Sequence, residues 1–124
     1  MTIYQIIIGI IYLIFGVTFL LSPPKAFKLF DVKFVESNNS LNEFKGAYGG
    51  VNTIIGIMGL VSIYFTSLIN PFLWLILVTN LGYALGRAYA YSNGNRPTIK
   101  LLLIWSGEVA IIVSAIVFLI LQSN

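Results

Sequence analysis

The sequence predicts an all-α integral membrane protein, a four-helix bundle whose spans run antiparallel and whose termini both lie on the non-cytoplasmic side. Three observations predict it. The chain of 124 residues is 58% hydrophobic and only 9% charged, where a soluble domain carries roughly 25% charged residues. Its apolar residues gather in long runs, each near the ~20 residues that a helix needs to cross a bilayer. All seven cations fall in, or next to, the first and third loops of a four-span chain.

The expected spans cover about 3–21, 41–65, 71–91 and 97–121 of a single domain, 1–124. They are apolar on all sides and lack the period-two alternation of barrel strands, so they read as helices. The first run is too long for a signal-peptide core and has no basic residue before it, which reads as a retained span. It stops at Ser22-Pro23-Pro24, because proline cannot continue a helix. Span two opens with Ser40-Leu41-Asn42-Glu43, an S-x-x-E capping box. Asn70-Pro71 is an N-cap followed by proline at the first helical position of span three. Gly94 ends that span by taking a left-handed turn, and Pro97 starts span four. Short connections after spans two and three make spans two, three and four neighbours.

The loop 22–40 is the only long connection. It reads as cytoplasmic and partly interfacial, either as a short surface helix with Phe27, Phe30 and Phe34 toward lipid or as an extended segment from Phe30 to Phe34. The helix is preferred. The cations are Lys25, Lys28, Lys33, Lys45, Arg87, Arg96 and Lys100, and the opposite side has none. That bias places the basic face in the cytoplasm of a bacterial inner membrane. Anionic lipid headgroups are then the expected partners of Lys25, Lys28, Lys33, Arg96 and Lys100. Nothing suggests nucleic acid.

Polar residues inside the spans are the candidate site. Glu43 is accounted for by the capping box and the helix dipole, and Lys45 by snorkelling toward the cytoplasm. Arg87 leans away from the cytoplasmic surface, because helical side chains point toward their own N-terminus. Glu108 lies about eleven residues into span four, roughly 16 Å deep, and leans back toward Arg87. A lone charge at such depth costs about 2.5–3.5 kcal/mol even on the lenient insertion scale, and pairing relieves both groups. Asn80, Tyr83, Arg87 and Tyr91 share one face of span three, and Lys45, Tyr48 and Asn52 one face of span two. Trp105 stands one turn from Glu108, in reach of the guanidinium. The expectation is one polar cluster of Arg87, Glu108, Tyr48, Asn52, Asn80 and Tyr83, with Lys45 and Glu43 beside it. It is read equally as a functional site or as a clasp between helices.

Small residues supply the packing surfaces. Gly46 and Gly50 form one G-x-x-x-G, and Gly82 and Gly86 a second.

The same residues carry a family likeness. Glu43-Phe44-Lys45-Gly46-Ala47-Tyr48-Gly49-Gly50, Leu85-Gly86-Arg87, Gly94-Asn95-Arg96-Pro97 and Glu108 resemble the E-x-R-G-x-Y-G-G, L-G-R, G-x-P and fourth-span glutamate pattern of a family of small four-span bacterial membrane proteins of unknown function. Lys45 stands where that pattern has arginine, and lysine cannot make the bidentate fork. The family brings no activity with it. A fainter architectural similarity is to four-span proteins of the DoxX type, linked to quinone or thiol redox partners.

The chain has no Cys and no His. Thiol redox chemistry, imidazole metal sites and His-based acid/base catalysis are excluded with them. No cofactor, metal site or catalytic residue is expected, and the protein reads as a non-enzyme. Two readings remain in front: an accessory subunit of a larger complex or a self-associating scaffold that packs through its small-residue faces, and a carrier or binding protein for a small molecule, lipid or proton centred on Arg87 and Glu108. An intramembrane enzyme using Glu108 alone is third.

Overall fold

A computed structural model describes residues 1–123, so the last residue of the expected domain, Asn124, lies outside it. The described residues form helices and turns only, in the order α1 (Thr2–Leu21), α2 (Pro23–Leu29), α3 (Asn38–Phe44), a π-helical segment (Lys45–Gly50), α4 (Val51–Val61), a 3-10 turn (Thr66–Leu68), α5 (Ile69–Ser92) and α6 (Ile99–Ser123). Three helical stretches, Thr2–Leu21, Thr66–Ser92 and Ile99–Ser123, are long and apolar enough to cross a membrane. The second expected span is instead a helical run over 38–61 whose α-helical parts are short, because it widens into a π segment between them. That segment carries Gly46, Gly49 and Gly50, which leave the helix free to deform.

By packing, the chain divides into two compact units, Met1–Ile69 and Asn70–Asn124.

The first unit is built on α1 against α4. The buried positions of α1 include Gln5, Gly9, Tyr12, Gly16 and Phe19, a stripe at alternating spacings of four and three. This is the 3.5-residue repeat of a long helix–helix seam. Partner positions descend along the second helix as they ascend along α1: Gln5 meets Ser62, Gly9 meets Gly56, Gly16 meets Thr53 and Leu20 meets Gly49. A Cβ on Gly56 would stand 2.6 Å from the Leu13 nitrogen and 2.8 Å from the Gly9 carbonyl oxygen. One on Gly49 would stand 2.9 Å from the Leu20 nitrogen, and one on Gly16 would collide with the nitrogen and hydroxyl of Thr53. These glycines are required by backbone approach. They lie seven apart, Gly9 with Gly16 and Gly49 with Gly56, and not on the 46/50 pair.

At the end of this seam the chain turns at Ser22, and Pro23 and Pro24 open α2, since proline suits a first helical turn. The long connection therefore contains the preferred short helix, but its rings face inward. Phe27 is buried, edge-on to Phe19 at 5.3 Å and to Phe44 at 4.6 Å, and stacked on Phe34 at 5.1 Å. Phe30 lies 5.9 Å from both Phe15 and Phe19. The lipid-facing arrangement expected of Phe27, Phe30 and Phe34 is thus replaced by an aromatic cluster. Rings packed edge to face gain more from each other than from acyl chains. Lys25, Lys28 and Lys33 stay exposed.

Helix starts differ from the capping pattern. The cap of α3 is Ser37, in extended conformation, whose hydroxyl accepts from the Ser40 N–H at 3.1 Å. Ser40 is thus inside the helix and Glu43 is exposed near its end, so the Ser40–Glu43 box does not form. Nothing in Asn38-Asn39 prevents the helix from starting a turn earlier. Asn70 is likewise inside α5, which continues from the 3-10 turn, and Pro71 occupies the first turn, where its missing N–H has no partner to lose. Gly94 takes φ +86° after α5, as the turn requires. α6 begins after Pro97, with the Thr98 hydroxyl accepting from the Leu101 N–H at 3.4 Å.

In the second unit, α5 buries Phe72, Leu73, Ile76, Leu77 and Asn80, one helical face. α6 buries Glu108 and Ala115, seven apart. Gly82, Gly86 and Gly107 have open space where a Cβ would stand.

Glycine substitutions separate the two kinds of position. Gly16→Ala or Gly56→Ala is expected to destabilise the detergent-solubilised protein by about 1–3 kcal/mol through overpacking. Gly82→Ala is expected to be neutral or to stabilise by up to about 1 kcal/mol, from helix propensity alone. Thermal unfolding of the three variants checks this, and equal losses would contradict the seam.

Candidate functional site

Apolar helices leave each polar side chain to find its partner within the chain, and most here use the carbonyls of their own helix. Thr18 donates to the Ile14 carbonyl at 2.7 Å, Thr53 to Gly49 at 2.7 Å and Ser114 to Ile111 at 2.9 Å. Asn52 donates through Nδ2 to the Tyr48 carbonyl and Asn80 to the Ile76 carbonyl, both at 2.6 Å.

Gln5 with Ser62 and Arg87 with Glu108 reach across between helical segments. In the first unit Gln5, 1% exposed, donates from Nε2 to the Ser62 hydroxyl at 2.7 Å, and Ser62, 0% exposed, donates on to the Gly59 carbonyl at 2.7 Å. The sequence reading did not single out Gln5 or Ser62. The signal was present: one amide in an isoleucine-rich run, on the stripe of Gly9 and Gly16.

In the second unit Arg87 of α5 and Glu108 of α6 form a forked ion pair. Arg87 Nε donates to both carboxylate oxygens at 3.1 and 3.0 Å, and Nη2 donates to Oε1 at 2.9 Å. Their side chains are 32% and 9% exposed, so the carboxylate is shut in while the guanidinium reaches the surface. Such a pair is both charged and directional. Removing one partner strands the other, and the stranded carboxylate is the costlier case because it is the more buried.

A cavity of about 230 Å³ lies beside this pair, lined by Arg87, Tyr91, Asn95, Arg96, Pro97 and Trp105, with Ala90 and Leu101 completing its apolar wall. The Trp105 indole nitrogen is buried with no hydrogen-bond partner among the described residues.

The other candidates divide between the two units. Asn80 and Tyr83 lie on α5 with Arg87, Asn80 buried and Tyr83 half-buried. Glu43, Lys45, Tyr48 and Asn52 belong to the first unit, Glu43 exposed and Lys45 half-buried. The Tyr48 ring stacks on Phe19 at 5.4 Å and tilts against Phe44 at 5.6 Å, which makes it part of the aromatic cluster. Asn52 is buried and Tyr48 is exposed along one edge, with the Asn52 amide on the Tyr48 carbonyl. Tyr48 lies within the π segment and Asn52 in the first turn of α4. Gly46 has open space around it, as Gly82 and Gly86 have, and Gly50 has only the Lys45 carbonyl oxygen, at 3.8 Å.

Among the described residues no group of three or more His, Cys, Asp or Glu is placed to hold a metal ion. The fold and site define an all-α chain with helices able to cross a membrane and a forked ion pair between two of them. No family model matches it, and no curated protein and no solved structure matches it either.

A double-mutant cycle measures the pair. Arg87→Met and Glu108→Met are each expected to cost about 2–5 kcal/mol in thermal or denaturant unfolding in detergent. The double variant should lose less than the sum of the two. Strict additivity would show that the pair carries no coupling.

Proposed function

We propose that this chain is a non-catalytic, multi-pass protein of the bacterial cytoplasmic membrane, an accessory or scaffold subunit that meets its partners through small-residue helix faces. The observation that carries the reading is the division of labour among its glycines. Gly9, Gly16, Gly49 and Gly56 are used up inside the first unit, whereas Gly82 and Gly86 on α5 stand open. Around them Val78, Leu81, Leu85 and Tyr89 are exposed, an apolar face with a shallow centre. In lipid, such a face lets a second backbone approach closely.

The proposed topology has four antiparallel spans, the helical run over 38–61 serving as the second and the 22–40 connection on the cytoplasmic side. Both termini then lie outside, and the basic residues face anionic headgroups. Arg87–Glu108 acts in this reading as an intramembrane clasp. The likeness of the Glu43–Gly50, Leu85–Arg87, Gly94–Pro97 and Glu108 motifs to four-span bacterial proteins of unknown function points the same way. The second reading, a binding protein or carrier centred on Arg87 and Glu108, draws support from the cavity beside the pair.

Gentle extraction followed by intact-mass measurement tests the scaffold. The protein is expected to emerge at fixed stoichiometry with a partner or with a second copy of itself. Gly82→Leu with Gly86→Leu should abolish that association without lowering the thermal stability of the chain. A monomer before and after the change would overturn the reading.

A further inference from the structure

The cavity beside Arg87 is where donors outnumber acceptors. Glu108 engages Nε and Nη2 of Arg87, and Nη1 has no hydrogen bond among the described residues. Arg96 lines the same cavity, is exposed, and makes no hydrogen bond or ion pair among the described residues. Trp105 closes one side of the cavity with its ring, its indole N–H buried below the surface. No lining residue is acidic. Glu108 neutralises Arg87 alone, so the charge of Arg96 is left over.

We infer that this cavity takes a phosphate group, held by the guanidinium groups of Arg87 and Arg96, with the Trp105 ring as part of its wall. Guanidinium donors sit in a planar fork that matches two phosphate oxygens, and an anion at this point supplies the acceptors that these groups lack. Glu108 holds Arg87 from one side and so presents the remaining edge of the guanidinium in a fixed orientation. The volume of about 230 Å³ falls below the roughly 300–1,000 Å³ of sites that enclose a whole drug-sized molecule. It suits a headgroup or a free anion. The apolar remainder of the lining, with Ala90, Pro97 and Leu101, suits the glycerol end of a phospholipid. Basic pockets beside membrane helices are a known means of holding anionic headgroups. The lipid source rests on the membrane reading above; the phosphate chemistry does not.

The test uses the full chain with Trp74→Phe, so that Trp105 is the one fluorophore of its kind. Inorganic phosphate is titrated against the protein in uncharged detergent. In parallel, the protein is placed in nanodiscs of phosphatidylcholine with increasing phosphatidylglycerol, and phospholipid retained after re-extraction is counted by phosphorus assay. A saturable change in Trp105 emission, or saturable lipid retention, is expected in one arm, and Arg96→Gln should weaken half-saturation by about tenfold or more. Response to inorganic phosphate assigns a soluble source, and response to phosphatidylglycerol alone assigns the headgroup. No response in either arm, or one that Arg96→Gln leaves unchanged, overturns the site. Failure to enter nanodiscs would overturn the membrane reading alone, since the detergent arm still decides the chemistry.

Discussion

The structure depends on one constraint: in helices this apolar, a polar side chain must be satisfied by the chain itself. Water cannot be assumed along an apolar helix that crosses lipid, and an unpartnered polar group there costs several kcal/mol. The constraint shows in where the polar residues of the helices go, the Trp105 N–H excepted. Thr18, Asn52, Thr53, Asn80 and Ser114 turn back to the carbonyl a turn earlier in their own helices. Gln5 and Ser62 are paired across a seam, with Ser62 passing the bond on to a backbone carbonyl. Arg87 and Glu108 solve the same problem for full charges, and theirs is the salt bridge between α5 and α6.

The two units meet the constraint by different means. In the first, backbones come so close at Gly9, Gly16, Gly49 and Gly56 that little side-chain volume remains between them. Contact there is backbone against backbone, and the aromatic cluster of Phe19, Phe27, Phe34 and Phe44 closes its end. In the second, the glycines make no such contact, and long charged side chains connect the helices. A fork of hydrogen bonds fixes direction as well as distance, which a glycine seam does not do. It also leaves room beside it, and the cavity at Arg96 and Trp105 is that room.

Much of this was legible in the sequence, and what was not has physical causes. The all-helical class and three membrane-length helices follow from composition and run length, which no local detail can reverse. The stop before Pro23 and the turn at Gly94 followed from backbone chemistry, since proline lacks the N–H that a continuing helix needs and glycine takes a positive φ without strain. Cap positions slipped at Ser40 and Asn70 because several neighbouring polar residues can serve, and a helix extends wherever nothing forbids it. Facing directions at Phe27, Phe30 and Phe34 were misjudged, since a pattern of rings says only that they are apolar. The π geometry at Lys45–Gly50 was not legible, because an apolar, glycine-rich run gives no local sign of a widened turn. The close approach occurs at the seven-residue spacing of Gly9 with Gly16 and Gly49 with Gly56, a spacing less distinctive in sequence than the G-x-x-x-G pairs.

The central claim is that Arg87 and Glu108 satisfy each other within the chain, and the most direct measurement is their proximity in a bilayer. Solid-state NMR on protein labelled at the arginine side-chain nitrogens and glutamate carboxyl carbons, reconstituted in lipid, reads it without mutation. The account predicts strong dipolar dephasing of the Glu108 carboxyl by the Arg87 Nε and Nη2, as donor–acceptor distances of 2.9 to 3.1 Å require. A Glu108 carboxyl signal that arginine nitrogens leave undephased would contradict it.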